Sequence, residues 1–160
     1  MEKNLPFAPE EYRSRIRKTK EAMDHRGMEL LLVTDPANMN YLTGYDGWSF
    51  YVHQGVVVAL DEAQPFWFGR EQDSNGARLT SRLPDDCIFG YPDHYVQSRY
   101  THTMRWLANL LREKGLDNRR FGVEMDGYWF NARMYVTLLE ELPQASLTDG
   151  TNLVNWVKTI

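Results

Sequence analysis

Residues 30–44 read LLLVTDPANMNYLTG. Leu30–Val33 is an unbroken apolar run, too short for a helix, with Gly27 close in front of it. A run of that length without polar alternation predicts a strand buried on both faces of a sheet. The residues after it change character at once. Asp35–Pro36 and Gly44 are turn punctuation, so residues 35–44 are expected to turn the chain away from the strand.

Working upstream, Pro9 suits the first helical position, where a missing N–H is no loss. Glu10 and Glu11 put negative charge at the positive end of the helix dipole. Tyr12, Ile16 and Met23 share one face, and Gly27 is a natural stop. Arg13, Arg15, Arg17 and Lys18 take the other faces and are expected to be solvated.

Working downstream, residues 55–60 (GVVVAL) are rich in β-branched residues and predict a second strand. Residues 61–64 turn the chain and residues 65–68 (PFWF) return it, giving a hairpin. After Gly69 helices and strands alternate. Residues 71–79 predict a short helix, although Asn75 and Gly76 weaken it. Residues 87–89 predict a short strand. Met104, Leu107, Leu110 and Leu111 form a helical stripe that stops at Gly115. Residues 121–123 predict a strand, and Phe130, Met134, Leu138 and Leu142 a helix closed by Pro143. Residues 146–148 predict a last strand. The expected architecture is α/β: a mixed β-sheet flanked by helices, in one domain over residues 1–150.

Residues 151–160 form a separate question. Thr151 is placed to cap a helix in which Leu153, Trp156, Val157 and Ile160 share an apolar face. Either this helix packs on its own sheet, or it leads into a further domain that the chain does not contain.

Composition narrows the function. With 160 residues, 42% hydrophobic and 25% charged, the chain has the balance of a globular domain. That excludes a disordered chain, a fibre and a coiled coil. The 18 basic residues are outnumbered by 22 acidic ones, which speaks against a nucleic-acid partner; Arg119–Arg120 is expected to be a solvated turn. No apolar run approaches the roughly 20 residues that span a bilayer, and the polar, acidic start MEKNLPFAPEEYRSR is not a signal peptide. Cys87 is the lone cysteine, so no intrachain disulfide forms. A reducing, cytoplasmic setting fits.

The motifs of catalysis are missing. His25, His53, His94 and His102 lie in four different segments, without an HExxH, a CxxC or a close His pair. Asp93–His94 and Asp85–Asp86 read as loop residues. There is no GxSxG, no GxxxxGK and no GxGxxG. Cys87 lies in an apolar stretch where a thiol is inert. What stands out is residues 41–53, YLTGYDGWSFYVH, with five aromatics and a histidine. If the segment is extended, Trp48 and Phe50 share one side, Tyr51 and His53 the other. One side alone enters a core. Tyr45, Trp48, Phe50, Tyr51 and His53 are therefore candidates for a substrate cleft or an interface. The competing reading is that the run edges the core.

The element order, the stretch Asp35–Gly44 and the ending Asn155-Trp156-Val157-Lys158 resemble the N-terminal domain of the creatinase/prolidase enzymes, the pita-bread metallohydrolases. Within that family, GYDGWSFYVHQ, WFGREQDSNGAR and GYPDHYVQS are most similar to the ectoine hydrolase branch. Val52 stands where creatinases carry an arginine, a departure from the creatine-cleaving pattern. The resemblance implies a catalytic C-terminal domain outside this chain, holding two divalent metal ions on Asp, His and Glu ligands. It implies a homodimer in which the N-terminal domain of one subunit covers the active site of the other, with Trp48, Phe50, Tyr51 and His53 in the covering segment. An aromatic flank of that kind suits a small cyclic, zwitterionic or dipeptide-like substrate. The expected function is that of a non-catalytic domain of a metal-dependent C–N bond hydrolase. The alternative is a stand-alone binding module of the same fold. A self-sufficient enzyme would need a site the residues do not offer.

Overall fold

The computed structural model describes residues 5–158. The strands are β1 (Leu30–Val33), β2 (Gly55–Ala59), β3 (Phe66–Arg70), β4 (Ile88–Tyr91), β5 (Arg120–Val123) and β6 (Ser146–Asp149). The helices are α1 (Pro9–His25), α2 (Pro36–Thr43), α3 (Glu71–Thr80), α4 (Thr103–Glu113), α5 (Ala132–Glu141) and α6 (Leu153–Val157). The strands form one mixed sheet in the order β4-β3-β2-β1-β5-β6. β2 is antiparallel to both β1 and β3, while β1–β5, β5–β6 and β3–β4 are parallel pairs. Every strand but β2 therefore runs the same way.

The sheet is covered on both faces because side chains alternate along each strand. Leu30 and Leu32 join Val57, Phe66, Phe68 and the apolar stripes of α4 and α5 in one core. Leu31 and Val33 join Val56, Val58 and Trp67 in the other, under α1, α2, α3 and α6. The expected α/β architecture and its central LLLV strand are present.

Several local expectations change. Residues 35–44 are not an irregular turn but the helix α2. The Asp35 carboxylate accepts the Asn38 N–H at 2.9 Å, Pro36 sits at the first helical position, and Gly44 ends the helix at φ 80°. Asp, Pro and Gly serve turns and helix caps alike, and here the caps enclose a full helix. The fourth strand begins at Ile88, because Asp85–Cys87 is a 3₁₀ turn that places Cys87, half-buried, just ahead of it.

Arg15 is not solvated. It is 8% exposed, its guanidinium lying 4.1 Å from the Phe7 ring centre and 4.5 Å from that of Tyr41, with Nε donating to Glu11 at 2.8 Å. Ring faces and a carboxylate replace water around the cation. Arg119 and Arg120 are also tied down. Arg119 pairs with Asp61 at 2.7 Å, and Arg120, the first residue of β5, pairs with Glu29 at 3.2 Å.

In α6 the buried residues are Leu153 and Val154, whereas Trp156 is 69% exposed. Asn152, not Thr151, is the N-cap residue, and the backbone turns extended at Lys158. The helix thus ends before the expected apolar face is complete, and Ile160 lies outside the described residues.

Candidate functional site

The reversal of β2 creates the site. Val33, the last residue of β1, pairs with Val56 near the start of β2. The chain between them leaves and re-enters the sheet at one edge, the edge where β1, β3, β4 and β5 end. Residues 34–54 therefore begin and end at the carboxyl ends of the parallel strands. That is the usual place for ligands in open α/β sheets.

Residues 45–54 form no regular strand. Their burial does not follow a simple alternation. Tyr45, Val52 and Gln54 point inward and hold the segment down. The Tyr45 hydroxyl donates to Gln54 Oε1 at 2.8 Å, and Gln54 Nε2 donates to the Gly47 carbonyl at 3.3 Å. Burial pushes the Tyr45 hydroxyl up to about 12, so it stays a hydrogen-bond donor at neutral pH. Between these anchors Trp48, Phe50 and Tyr51 face outward, 58%, 74% and 58% exposed. Trp48 and Phe50 meet edge to face, their ring centres 4.5 Å apart. The expected pairing of Trp48 with Phe50 on one side is what the structure places there; Tyr45 sits in the core beneath them.

His53 lies apart from the exposed trio. It is half-buried, and its ring is 5.0 Å from that of His102. Its carbonyl accepts the Tyr91 hydroxyl at 2.6 Å. His102 is the N-cap of α4, its Nδ1 accepting the Met104 N–H at 3.1 Å. An acceptor Nδ1 fixes the neutral tautomer with the proton on Nε2. Burial, with the charges of His53 and Arg133, pulls His102 down to about 4. Burial also lowers His53. With Tyr51 and Tyr95 the pair borders a small hollow of about 100 Å³.

A larger cleft of about 400 Å³ opens on the other side of the run, between Trp48 and Tyr51 and the first turns of α3, where Arg70 and Asp73 lie. Arg70 is held by Asp93 through two bonds, 2.7 and 2.9 Å. Asp93 is thus engaged by an arginine, and the neighbouring His94 ring packs on Tyr95 at 4.4 Å. A third, narrower hollow brings Phe50 and His53 beside Tyr128 and Trp129 of the loop after β5.

Beneath all this sits Glu124, 5% exposed, at the end of β5. Its Oε2 accepts from the Thr34 N–H (2.7 Å), the Thr34 hydroxyl (3.0 Å) and the Asp35 N–H (2.9 Å). Its Oε1 accepts from Asn38 Nδ2 at 3.1 Å. A buried carboxylate thereby satisfies the start of α2 and clamps it to the central strands.

The residues read from the sequence explain part of this site. His102, Tyr91, Asp73 and Tyr128 carry no signal in the sequence that marks them for this site. Glu124 had one faint signal, a carboxylate directly after an apolar strand that must lie beside β1. Among the described residues no group of three His, Cys, Asp or Glu side chains is placed to hold a metal ion. Burial raises the Cys87 thiol, which keeps it protonated.

Residues 15–160 match the creatinase/prolidase N-terminal domain. The chain belongs to that family. The domain is 48% identical over 158 residues to the ectoine hydrolase of Halomonas elongata, an alignment covering 98% of this chain and 39% of that enzyme. The chain therefore spans about two-fifths of its relative's length. Among solved structures, the creatinase/prolidase N-terminal domain of an X-Pro dipeptidase from Streptococcus pyogenes superposes with a TM-score of 0.71 at 20% identity, over 90% of this chain and 98% of that one. The N-terminal domain of a cytoplasmic peptidase from Mycobacterium tuberculosis gives 0.67 at 19%, over 91% and 99%. At such identities these structures speak for the fold alone.

Proposed function

We propose that this domain is the non-catalytic N-terminal part of a cytoplasmic, metal-dependent C–N bond hydrolase, similar in activity to ectoine hydrolase. The enzyme works as a homodimer, and each N-terminal domain supplies Trp48, Phe50, Tyr51 and His53 to the substrate site of the other subunit. The observation that carries this reading is the trio of outward aromatics fixed over the carboxyl edge by Tyr45, Val52 and Gln54. Large exposed rings on rigid anchors are the mark of a surface made to be covered. The 48% identity to an ectoine hydrolase supports a small, cyclic, zwitterionic molecule as the substrate. The side chains described here do not fit two divalent ions. We place those ions in the catalytic half, outside this chain.

The test uses the longer protein with ectoine and with an Xaa-Pro dipeptide as substrates. Phe50→Ala is expected to lower kcat/KM by roughly 5- to 150-fold, the loss of about 1–3 kcal/mol of transition-state binding. Thermal stability should stay close to wild type, because Phe50 is exposed. Leu107→Ala, in the core under α4, is expected to lower stability instead. Unchanged kinetics in a Phe50→Ala enzyme would remove the run from the substrate site.

A further inference from the structure

A hollow of about 210 Å³ lies between α1, the end of α2 and the segment that follows α3. It shares no lining residue with the clefts at the aromatic run. Ile16, Leu42 and Leu83 give it apolar walls, and Tyr12 and Arg82 give it polar groups. Two of its hydrogen-bond donors are underused. The half-buried Arg82 pairs with no carboxylate among the described residues. Its Nη2 reaches the Phe7 carbonyl at a long 3.5 Å, and its buried Nε has no partner. Tyr12 is 3% exposed, yet its hydroxyl makes no hydrogen bond to a described residue. Arg82 lies near enough for its charge to act on that hydroxyl, so the two donors converge. Burial outweighs the arginines and raises the Tyr12 hydroxyl, which stays protonated and able to donate. The other cation on the lining, Arg13, is already paired with Glu10 at 2.5 Å.

Each class of ligand meets these walls differently. A cation is repelled by Arg82, and no carboxylate lines the hollow to offset that. An uncharged hydrocarbon leaves the Arg82 Nε and the Tyr12 hydroxyl without acceptors. An inorganic polyanion presses unsatisfied oxygens against Ile16, Leu42 and Leu83. A monocarboxylate with a short hydrocarbon tail meets every wall. Its oxygens accept from Arg82 and Tyr12, and its tail covers the aliphatic side chains. We propose that this hollow binds a short-chain monocarboxylate. The site is built within one chain, so it stands or falls separately from the cross-subunit role of Phe50.

The 160-residue chain is titrated with sodium butyrate, sodium acetate and butyramide, with sodium chloride holding the ionic strength equal. Amide NMR is the readout. The expected result is a saturable response to butyrate, with shifts at the Ile16, Leu42 and Arg82 amides. Acetate, which lacks two methylenes of the tail, should bind about five- to tenfold more weakly. Butyramide has the same shape without the charge and should lose about tenfold or more. Arg82→Gln should weaken butyrate by about tenfold, and Tyr12→Phe by about three- to tenfold. No saturable response to butyrate would overturn the proposal. Butyramide binding as tightly as butyrate would do the same without any variant. Acetate binding as tightly as butyrate would remove the tail from the apolar walls and so contradict the assigned ligand. Undiminished butyrate affinity in Arg82→Gln, its fold confirmed by an unchanged amide spectrum elsewhere, would also sink the assignment.

Discussion

Glu124 accepts the backbone N–H of Thr34 at 2.7 Å, joining the end of β5 to the end of β1 at the point where α2 begins. Every group around that carboxylate is a donor: two backbone N–H groups, a hydroxyl and an amide. Glu124→Ala therefore leaves the Thr34 and Asp35 N–H groups without a buried acceptor, whereas Glu124→Gln is met by turning the Asn38 amide, whose Oδ1 is unpaired. For Glu124→Ala a stability loss of about 1–3 kcal/mol is expected from the buried groups left unsatisfied. Urea unfolding measures it. A change below about 0.5 kcal/mol, the scale of ordinary surface substitutions, would contradict the clamp.

Gly76 lies inside α3, with no atom within 4 Å of where a Cβ would stand. Alanine there removes the backbone freedom of glycine at no steric cost. Gly76→Ala is expected to raise stability by about 0.5–1 kcal/mol, read as a higher urea midpoint with unchanged slope. A destabilised variant would mean that α3 needs the glycine for a reason its surroundings do not reveal.

His102 makes stability depend on pH. Its ordinary value is 6.5 and the folded value is about 4. Between these the unfolded chain holds a proton that the folded chain does not. Stability is therefore complete above pH 6.5 and declines as pH falls toward 4. Burial of His53 acts in the same direction. His102→Asn keeps an acceptor at the N-cap of α4 but cannot titrate. Urea unfolding at several pH values from 4.5 to 7 should show a shallower pH slope in this variant. An unchanged slope would contradict the assignment of a neutral, capping His102.

The legible parts of this fold were those that needed no neighbours. Residues 30–33 and 55–60 are purely apolar runs, and burial was written into them. Residues 35–44 were harder, because Asp35, Pro36 and Gly44 suit a turn and a capped helix equally well. The site was legible as a surplus of aromatics, but not in its division. Tyr45 and Trp48 have similar chemistry, and only the Gln54 side chain and the packing on Trp67 send one inward. Arg15 is not legible at all, and Glu124 only faintly. A charged residue reads as solvated until its partners, distant in sequence, are known.

The central claim is that the aromatic run serves the neighbouring subunit's active site. It is tested most directly by mixing two impaired forms of the longer protein. One carries Trp48→Ala and Phe50→Ala, and the other has its catalytic half disabled. If the run acts across the dimer, a mixed dimer keeps one intact site, built from the sound catalytic half of one chain and the sound aromatic run of the other. Random reassembly in equal amounts should then restore activity toward about a quarter of wild type, half the dimers being mixed and each carrying one of two sites. No gain above the sum of the two separate variants would contradict the account.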